Sequence, residues 1–261
     1  MQLEFAWAAQ NVTWSKHILR VNGKNILLDC GMFQGHRKQA EEANKYLPFK
    51  PEEIDAVVLS HAHIDHSGLL PFLVKKGYTW PIYCTHATRD LCSIMLQDSA
   101  HIQTSEAEYL KKKKGINAQP LYTADDANQA MTQFRSVGYD RRIAIDRDIF
   151  FTFHDAGHIL GSAGELWEIY DRDTEQEIRL WFTGDLGRKH LPILRPPEQL
   201  KDLDVLISES TYWGRFHDEL ENVEKHLVDV INQAINRNGK IYIPAFAVER
   251  TQEILFVMKK L

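Results

Sequence analysis

Runs of apolar residues alternate with polar stretches along most of the chain, and their lengths and spacing predict the elements. From Leu3 to about Asp29 the pattern is that of short strands. Asn22-Gly23 and Lys24-Asn25, between VTWSKHILRV and NILLDC, are a hairpin signal. After a polar stretch, Ala56 to Ser60 (AVVLS) is a continuous apolar run of strand length, followed at once by HAHIDHSG and a predicted helix, LLPFLVKKG. PIYCT is another short strand. It leads into a long helical region, Ala87 to Lys114, in which Leu91, Ile94, Met95 and Leu110 recur at near-helical spacing. Strands return from Arg142 to Phe182: RRIAI, IFFTFHDAGH, GELWEIY and, across the turn DRDTEQE, IRLWFTGD. DVLISES is a last strand, ending near Glu209.

The segment beyond Glu209 looks like a fresh α/β unit: an amphipathic helix Asp218 to Asn236, a strand KIYIPAF and a helix from Glu249 onward. The chain stops inside that helix at MKKL, without a cap or a breaker. We therefore expect one domain over residues 1–208 and the truncated beginning of a second over 209–261. No internal repeat is visible. Lys111 to Lys114 is read as a solvated helix end, where lysine suits the macrodipole, or as a contact for phosphate.

With 261 residues, 44% apolar and 26% charged, the chain can bury one sizeable core and part of another. MQLEFAWAAQNVTWSK lacks the pattern of a secretory signal, and no apolar run approaches the roughly 20 residues that span a bilayer. A cytoplasmic protein with no membrane partner is expected. Cys30, Cys84 and Cys92 are odd in number and show no CxxC spacing, which argues for buried reduced thiols over a disulfide framework or a Cys-based zinc finger. The net charge of -5 excludes nucleic-acid binding by bulk electrostatics alone, so contact with a polyanion must be local or helped by metal.

The densest chemical signal is His61-Ala62-His63-Ile64-Asp65-His66, four potential ligands within six residues straight after an apolar strand. Buried without a cation, so many imidazoles and a carboxylate would be hard to satisfy. One loop cannot surround two metals, so further ligands are expected at other strand ends. His158 in HDAGHILGSAG and Asp185 in WFTGDLG occupy such positions; each taken singly could equally be a turn residue. A His and Asp set without thiolate suits zinc and tolerates manganese or iron. Asp29 in LLDCG ends a strand beside a glycine, as a carboxylate orienting a ligand histidine or as a plain turn.

HAHIDH, DAGHILGS and FTGDLG in this order resemble the metallo-β-lactamase superfamily, from about Leu3 to Asp185. The resemblance implies an αββα sandwich of the α/β class with the site along one edge of its two sheets. It also implies that two zinc ions are held, the first by His61, His63 and His158 and the second by Asp65 and His66. Asp185 would bridge them and Asp29 would support. Ser208-Glu209-Ser210-Thr211-Tyr212, followed by IPAFAVERTQEIL, looks like the entry to the β-CASP insert of RNA- and DNA-processing nucleases. That branch implies catalytic roles for Asp65, Asp185 and Glu209, the last being its motif-A acid, and a place near substrate phosphates for Arg250. An arginine at a helix start is equally well read as a surface salt bridge.

The branch also implies two further motif histidines far downstream, which would lie beyond Leu261, so the 261 residues are expected to bind metal incompletely and to cleave poorly, and a full-length parent is expected to be the competent enzyme. Trp7, Trp14, Trp80 and Trp213 stand where related sequences more often carry glycine, and a large ring there is expected to strain the loop at Trp14. The leading reading is a zinc-dependent ribonuclease acting on single-stranded RNA, with DNA as substrate and a homodimer left open. The alternatives are a hydrolase of small acyl or thioester substrates on the same site, or a non-catalytic subunit that keeps the fold.

Overall fold

In the computed structural model, which describes residues 1–9, 14–189, 191–215 and 223–260, the strands form two stacked sheets. The first holds β1 (Gln2–Trp7), β2 (Lys16–Val21), β3 (Lys24–Leu28), β4 (Ala56–Val58), β5 (Ile82–Thr85) and β6 (Phe134–Val137), side by side in that order. Pairing is antiparallel from β1 to β3 and parallel from β3 to β6. The β2–β3 hairpin turns on Asn22 (φ 51°) and Gly23 (φ 77°), the two positive values that match the twist of the flanking strands. The second sheet holds β7 (Arg142–Asp146), β8 (Ile149–Asp155), β9 (Ala163–Asp171), β10 (Gln176–Phe182) and β11 (Val205–Ile207), in the spatial order β11-β10-β9-β8-β7.

The continuous apolar character of β2 to β4 follows from burial on both faces. On one face Ile18, Leu27 and Val57 pack with Leu70, Phe72 and Leu73 of α3 (Leu70–Lys75), Cys92, Leu96 and Ala100 of α4 (His86–Lys114), and Ala127 of α5 (Ala124–Met131). On the other, Leu19, Val21, Ile26, Leu28 and Val58 meet Phe151, Phe153, Trp167, Ile169 and Leu180 of the second sheet. The remaining helices are α1 (Arg37–Asn44), α2 (Ile64–Ser67), α6 (Val223–Asn236) and α7 (Arg250–Lys260). The α/β sandwich expected from the sequence is the fold found. All three cysteines are free and buried, and burial pushes the Cys30 and Cys92 thiols up to about 12. Among the described residues no helix is long and apolar enough to cross a membrane.

Local readings change in two places. Lys240–Phe246 is not a strand: Tyr242 and Phe246 are exposed and no described strand pairs with them, and an apolar run alone cannot supply the missing ladder. The described part of the helix expected from Asp218 is Val223–Asn236, and Asp218 to Asn222 lie outside the described residues. α5 and β6 were not anticipated, although a capping box of Thr123 and Asp126 marks the start of α5. Of the four tryptophans, Trp14 does sit in the left-handed region at φ 86°, buried against the Phe33 ring at 4.6 Å. That conformation costs a non-glycine residue on the order of 1–3 kcal/mol. Trp80 and Trp213 have exposed side chains and unstrained φ, and the side chain of Trp7 lies outside the described residues.

The topology places Asp29, His61, His158, Asp185 and Glu209 in the segments that leave the carboxyl ends of β3, β4, β8, β10 and β11. Residues from both sheets thereby reach one rim.

Candidate metal centre

The loop carrying the histidine cluster is pinned by backbone before any side chain is considered. Ser15 N–H donates to Asp65 O at 2.8 Å, Cys30 N–H to His66 O at 2.7 Å and Met32 N–H to Ile64 O at 2.9 Å. Gly31 runs so close beneath this loop that a Cβ on it would lie 1.6 Å from Asp65 O. Gly31→Ala is therefore expected to destabilise the protein by on the order of 4 kcal/mol or more, because backbone on both sides must move. A thermal melt of the purified variant checks this; a melting point within a degree or two of wild type would show that the loop is not clamped.

On that frame the side chains converge. One ligand atom from each of His61, His63, His158 and Asp185 lies within 4.8 Å of all the others. His63 Nδ1 stands 3.0 Å from His61 Nε2 and 3.2 Å from His158 Nε2. Asp185 Oδ2 faces His61 Nε2 at 3.9 Å and His158 Nε2 at 3.6 Å. Its other oxygen, Oδ1, is 3.3 Å from His66 Nε2, which in turn is 4.0 Å from Asp65 Oδ2. A single lone pair on His63 Nδ1 cannot accept from two imidazole N–H groups at once, so hydrogen bonding alone leaves this constellation unsatisfied. A cation among the nitrogens satisfies all three, and the donor set is one that divalent transition metals take.

For His61, His63 and His158 the electrostatics point the same way. Burial, with His66, His63 and His158 nearby, holds His61 well below the ordinary imidazole value, and burial with His158 beside it lowers His63 to about 4. Burial is also the main cause that lowers His158. Neutral imidazoles are the ligating form. Burial would raise the Asp185 carboxyl, but His66 overrides it and the group is held at about 2. His66 itself goes well above its ordinary value: burial opposes the charge, and Asp29 and Asp185 together outweigh burial.

Asp29, fully buried and in the left-handed region at φ 59°, accepts from the Ser60 N–H at 2.8 Å and from the hydroxyls of Ser60 and Ser15, each at 3.0 Å. It also meets His66 Nδ1 at 2.7 Å, which turns His66 Nε2 toward Asp185. Ser60 stands 3.0 Å from His61 Nδ1 as well, so one hydroxyl and one carboxylate orient two rings. Ser15 and Ser60 carry no sequence signal of their own beyond Ser60 directly preceding the cluster. Ser162 likewise accepts the His158 N–H at 2.9 Å. The Glu209 carboxylate accepts from the N–H of Leu186, the residue after Asp185, at 3.0 Å and from Thr211 N–H at 3.2 Å. Arg250 is not among the grouped ligands; its exposed guanidinium lies 3.8 Å from Glu253.

The model of a family described as the metallo-β-lactamase superfamily domain matches residues 18–180. The chain belongs to the metallo-β-lactamase superfamily. This superfamily fold implies divalent metal ions, and the His and Asp cluster fits a metal site. Among relatives, Ribonuclease TTHA0252 of Thermus thermophilus is 35% identical over 96% of this chain and 53% of its own length. Transcription termination factor FttA of Methanocaldococcus jannaschii is 32% identical over 100% of this chain and 39% of its own. Cleavage and polyadenylation specificity factor 73 of Drosophila melanogaster is 32% identical over 99% and 35%. The chain thus spans about half the length of the first relative and little more than a third of the other two. The resemblance read from the sequence, β-CASP branch included, is borne out by these metallo-β-lactamase relatives.

Proposed function

We propose that the chain is the metal-binding part of a ribonuclease that hydrolyses RNA phosphodiester bonds with two zinc ions. In this reading residues 1–208 form the catalytic domain and 209–261 open a β-CASP domain. The observation that carries it is the way Asp185 faces two sets of ligands, His61 and His158 through Oδ2 and His66 through Oδ1. The ribonuclease and RNA-processing names of the relatives support the choice of substrate. When bound, divalent ions supply Lewis acidity that polarises a phosphate and lets water ionise near neutral pH.

The chain's own residues do the rest. His61, His63 and His158 would offer neutral nitrogens to one ion, Asp65 and His66 would hold the other, and the Asp185 carboxylate would serve as a ligand shared between the two groups. Asp29 fixes the His66 ring by taking its Nδ1 proton in a hydrogen bond. Glu209, assigned a catalytic role on sequence grounds, holds the Leu186 amide and so positions the Asp185 loop. Arg250 is the proposed phosphate contact from the tail.

The test uses the protein at its full native length, loaded with zinc, on labelled single-stranded RNA, with His63→Ala as control. Cleavage by wild type, lost in His63→Ala, is expected. RNA left intact by both would sink the reading, and hydrolysis of an S-acyl glutathione in its place would select an acyl hydrolase. The same assay on single-stranded DNA decides between the nucleic acids.

A further inference from the structure

We propose that Thr85 and Thr88 are positioning residues for the metal ligand His158, acting through the carbonyl oxygen of Gly161; this rests on the metal-centre part of the reading above. The nitrogens of that centre come from two layers. His61 and His63 follow β4 in the first sheet, whereas His158 follows β8 in the second. They meet at 3.0 and 3.2 Å, and a shift of one layer by about half an ångström is enough to loosen such a constellation. Something must therefore hold the loop 156–162 against the first layer.

At its ends the loop is tied by backbone: Gly187 N–H donates to Ala156 O and Ala163 N–H to Ser60 O, each at 2.8 Å. The turn between them is shaped from inside by the Ser162 hydroxyl, which accepts from the N–H groups of His158 at 2.9 Å and Ile159 at 3.2 Å. Gly161 then docks this turn on the end of β5 and the first turn of α4. The hydroxyls of Thr85 and Thr88, 76 and 73 residues away in sequence, donate to Gly161 O at 2.6 and 2.8 Å. A carbonyl oxygen has two lone pairs, so both bonds form at once, while Thr88 N–H donates to the Thr85 oxygen at 3.2 Å. Both threonines are buried, so a lost hydroxyl is not replaced by bulk water. The close approach needs glycine: Gly161 sits at φ 86°, and a Cβ on it would lie 2.6 Å from Thr88 N. α4 is a firm base for the contact, because Cys92, Leu96 and Ala100 fix it in the helix-side core. Thr85 also caps α4, so its loss would weaken the helix as well; Thr88 is the cleaner probe.

Thr88→Val keeps the shape and removes the hydroxyl, Thr88→Ala removes it without the crowding of a second methyl, and Thr88→Ser retains it. Thr104→Val is the comparison, since it takes from the same helix a hydroxyl whose bond, to Ala100 O at 2.8 Å, stays within the helix. The proteins, at full native length, are titrated with zinc against a chromophoric chelator, and their cobalt-loaded forms are compared by visible absorption, both well below the melting point. Thr88→Val and Thr88→Ala are expected to bind zinc on the order of tenfold more weakly than wild type and to alter the cobalt ligand-field bands. Thr88→Ser and Thr104→Val should match wild type in both readouts. A melting point lowered in Thr88→Val and Thr88→Ala with zinc affinity and cobalt spectrum unchanged would reduce the threonines to packing and overturn the proposal, leaving the metal centre standing. A loss that Thr88→Ser does not recover would overturn it too. Wild type that takes up neither zinc nor cobalt would overturn the metal centre itself, and the proposal with it.

Discussion

On the ribonuclease reading proposed above, Asp185→Asn in the full-length protein is expected to reduce RNA cleavage by on the order of a thousandfold and to lower the metal content of the purified protein. The asparagine is nearly isosteric, so the loop and its Leu186–Glu209 hydrogen bond remain. What disappears is one full negative charge between two groups of imidazoles, His61 and His158 on one side and His66 on the other. Charge stabilisation at a metal centre is worth several kcal/mol, and about 4 kcal/mol corresponds to that rate factor. Metal analysis and a cleavage assay on the same preparation check it together. His154→Ala serves as the comparison: His154 also sits between carboxylates, 2.9 Å from Glu198 and 3.2 Å from Asp140, in a surface group whose exposed acids need no ion. It should leave both readouts near wild type. Full metal content and full activity in Asp185→Asn would mean that the placement of Asp185 between these imidazoles has no functional weight.

Lys16→Met is expected to raise stability, by roughly 3 kcal/mol at neutral pH. Lys16 is fully buried in the strand next to Trp14, and its Nζ has no hydrogen-bond partner among the described residues. The Trp14 ring 5.4 Å away offers only a weak cation–π contact. Burial lowers the ammonium from the ordinary 10.5 to about 8, with Cys30 opposing, and that difference converts to roughly 3 kcal/mol. The folded protein releases the proton before the unfolded chain does, so the penalty is present in full below about pH 8 and fades as the pH rises to 10.5. The gain from methionine should therefore be largest at pH 7 and smaller at pH 9.5. Taking the difference between variant and wild type at each pH cancels the opposite contribution of the buried cysteines, whose raised thiols lose stability as the pH climbs. In melting temperature the neutral-pH gain should be on the order of 10 °C. A variant less stable than wild type at pH 7 would show that the ammonium is well solvated or paired.

Much of the fold and of the cluster was legible in the chain because their signals are local. Period-two burial and continuous apolar runs depend only on near neighbours, and they placed β2 to β4 and β8 to β10 within a few residues. Ligand density did the same for His61, His63, Asp65 and His66. Signals failed where the deciding partner is remote. Lys240–Phe246 has strand-like composition, but no described strand lies beside it, and a ladder needs two sides. Lys16 reads as an ordinary charged residue at a strand start; only the Trp14 loop and the helix-side core above it make it a buried cation. Glu209 was recognisable as an acid at a strand end, whereas its partner, the Leu186 amide, is 23 residues away in sequence.

By itself, then, the sequence determined the types and order of the elements, the presence of a dense His and Asp cluster, and the family to which both belong. Only the tertiary structure decided that β4, β8 and β10 deliver their ends to one rim, which oxygen of Asp185 faces which imidazole, and that a cavity opens beside them. The physical reason is range. Strand and helix preferences act over a few residues, but the position of a ligand atom is settled by how two sheets pack. That packing sums contacts between side chains more than a hundred residues apart in the chain, such as Leu19 with Trp167 in the shared core.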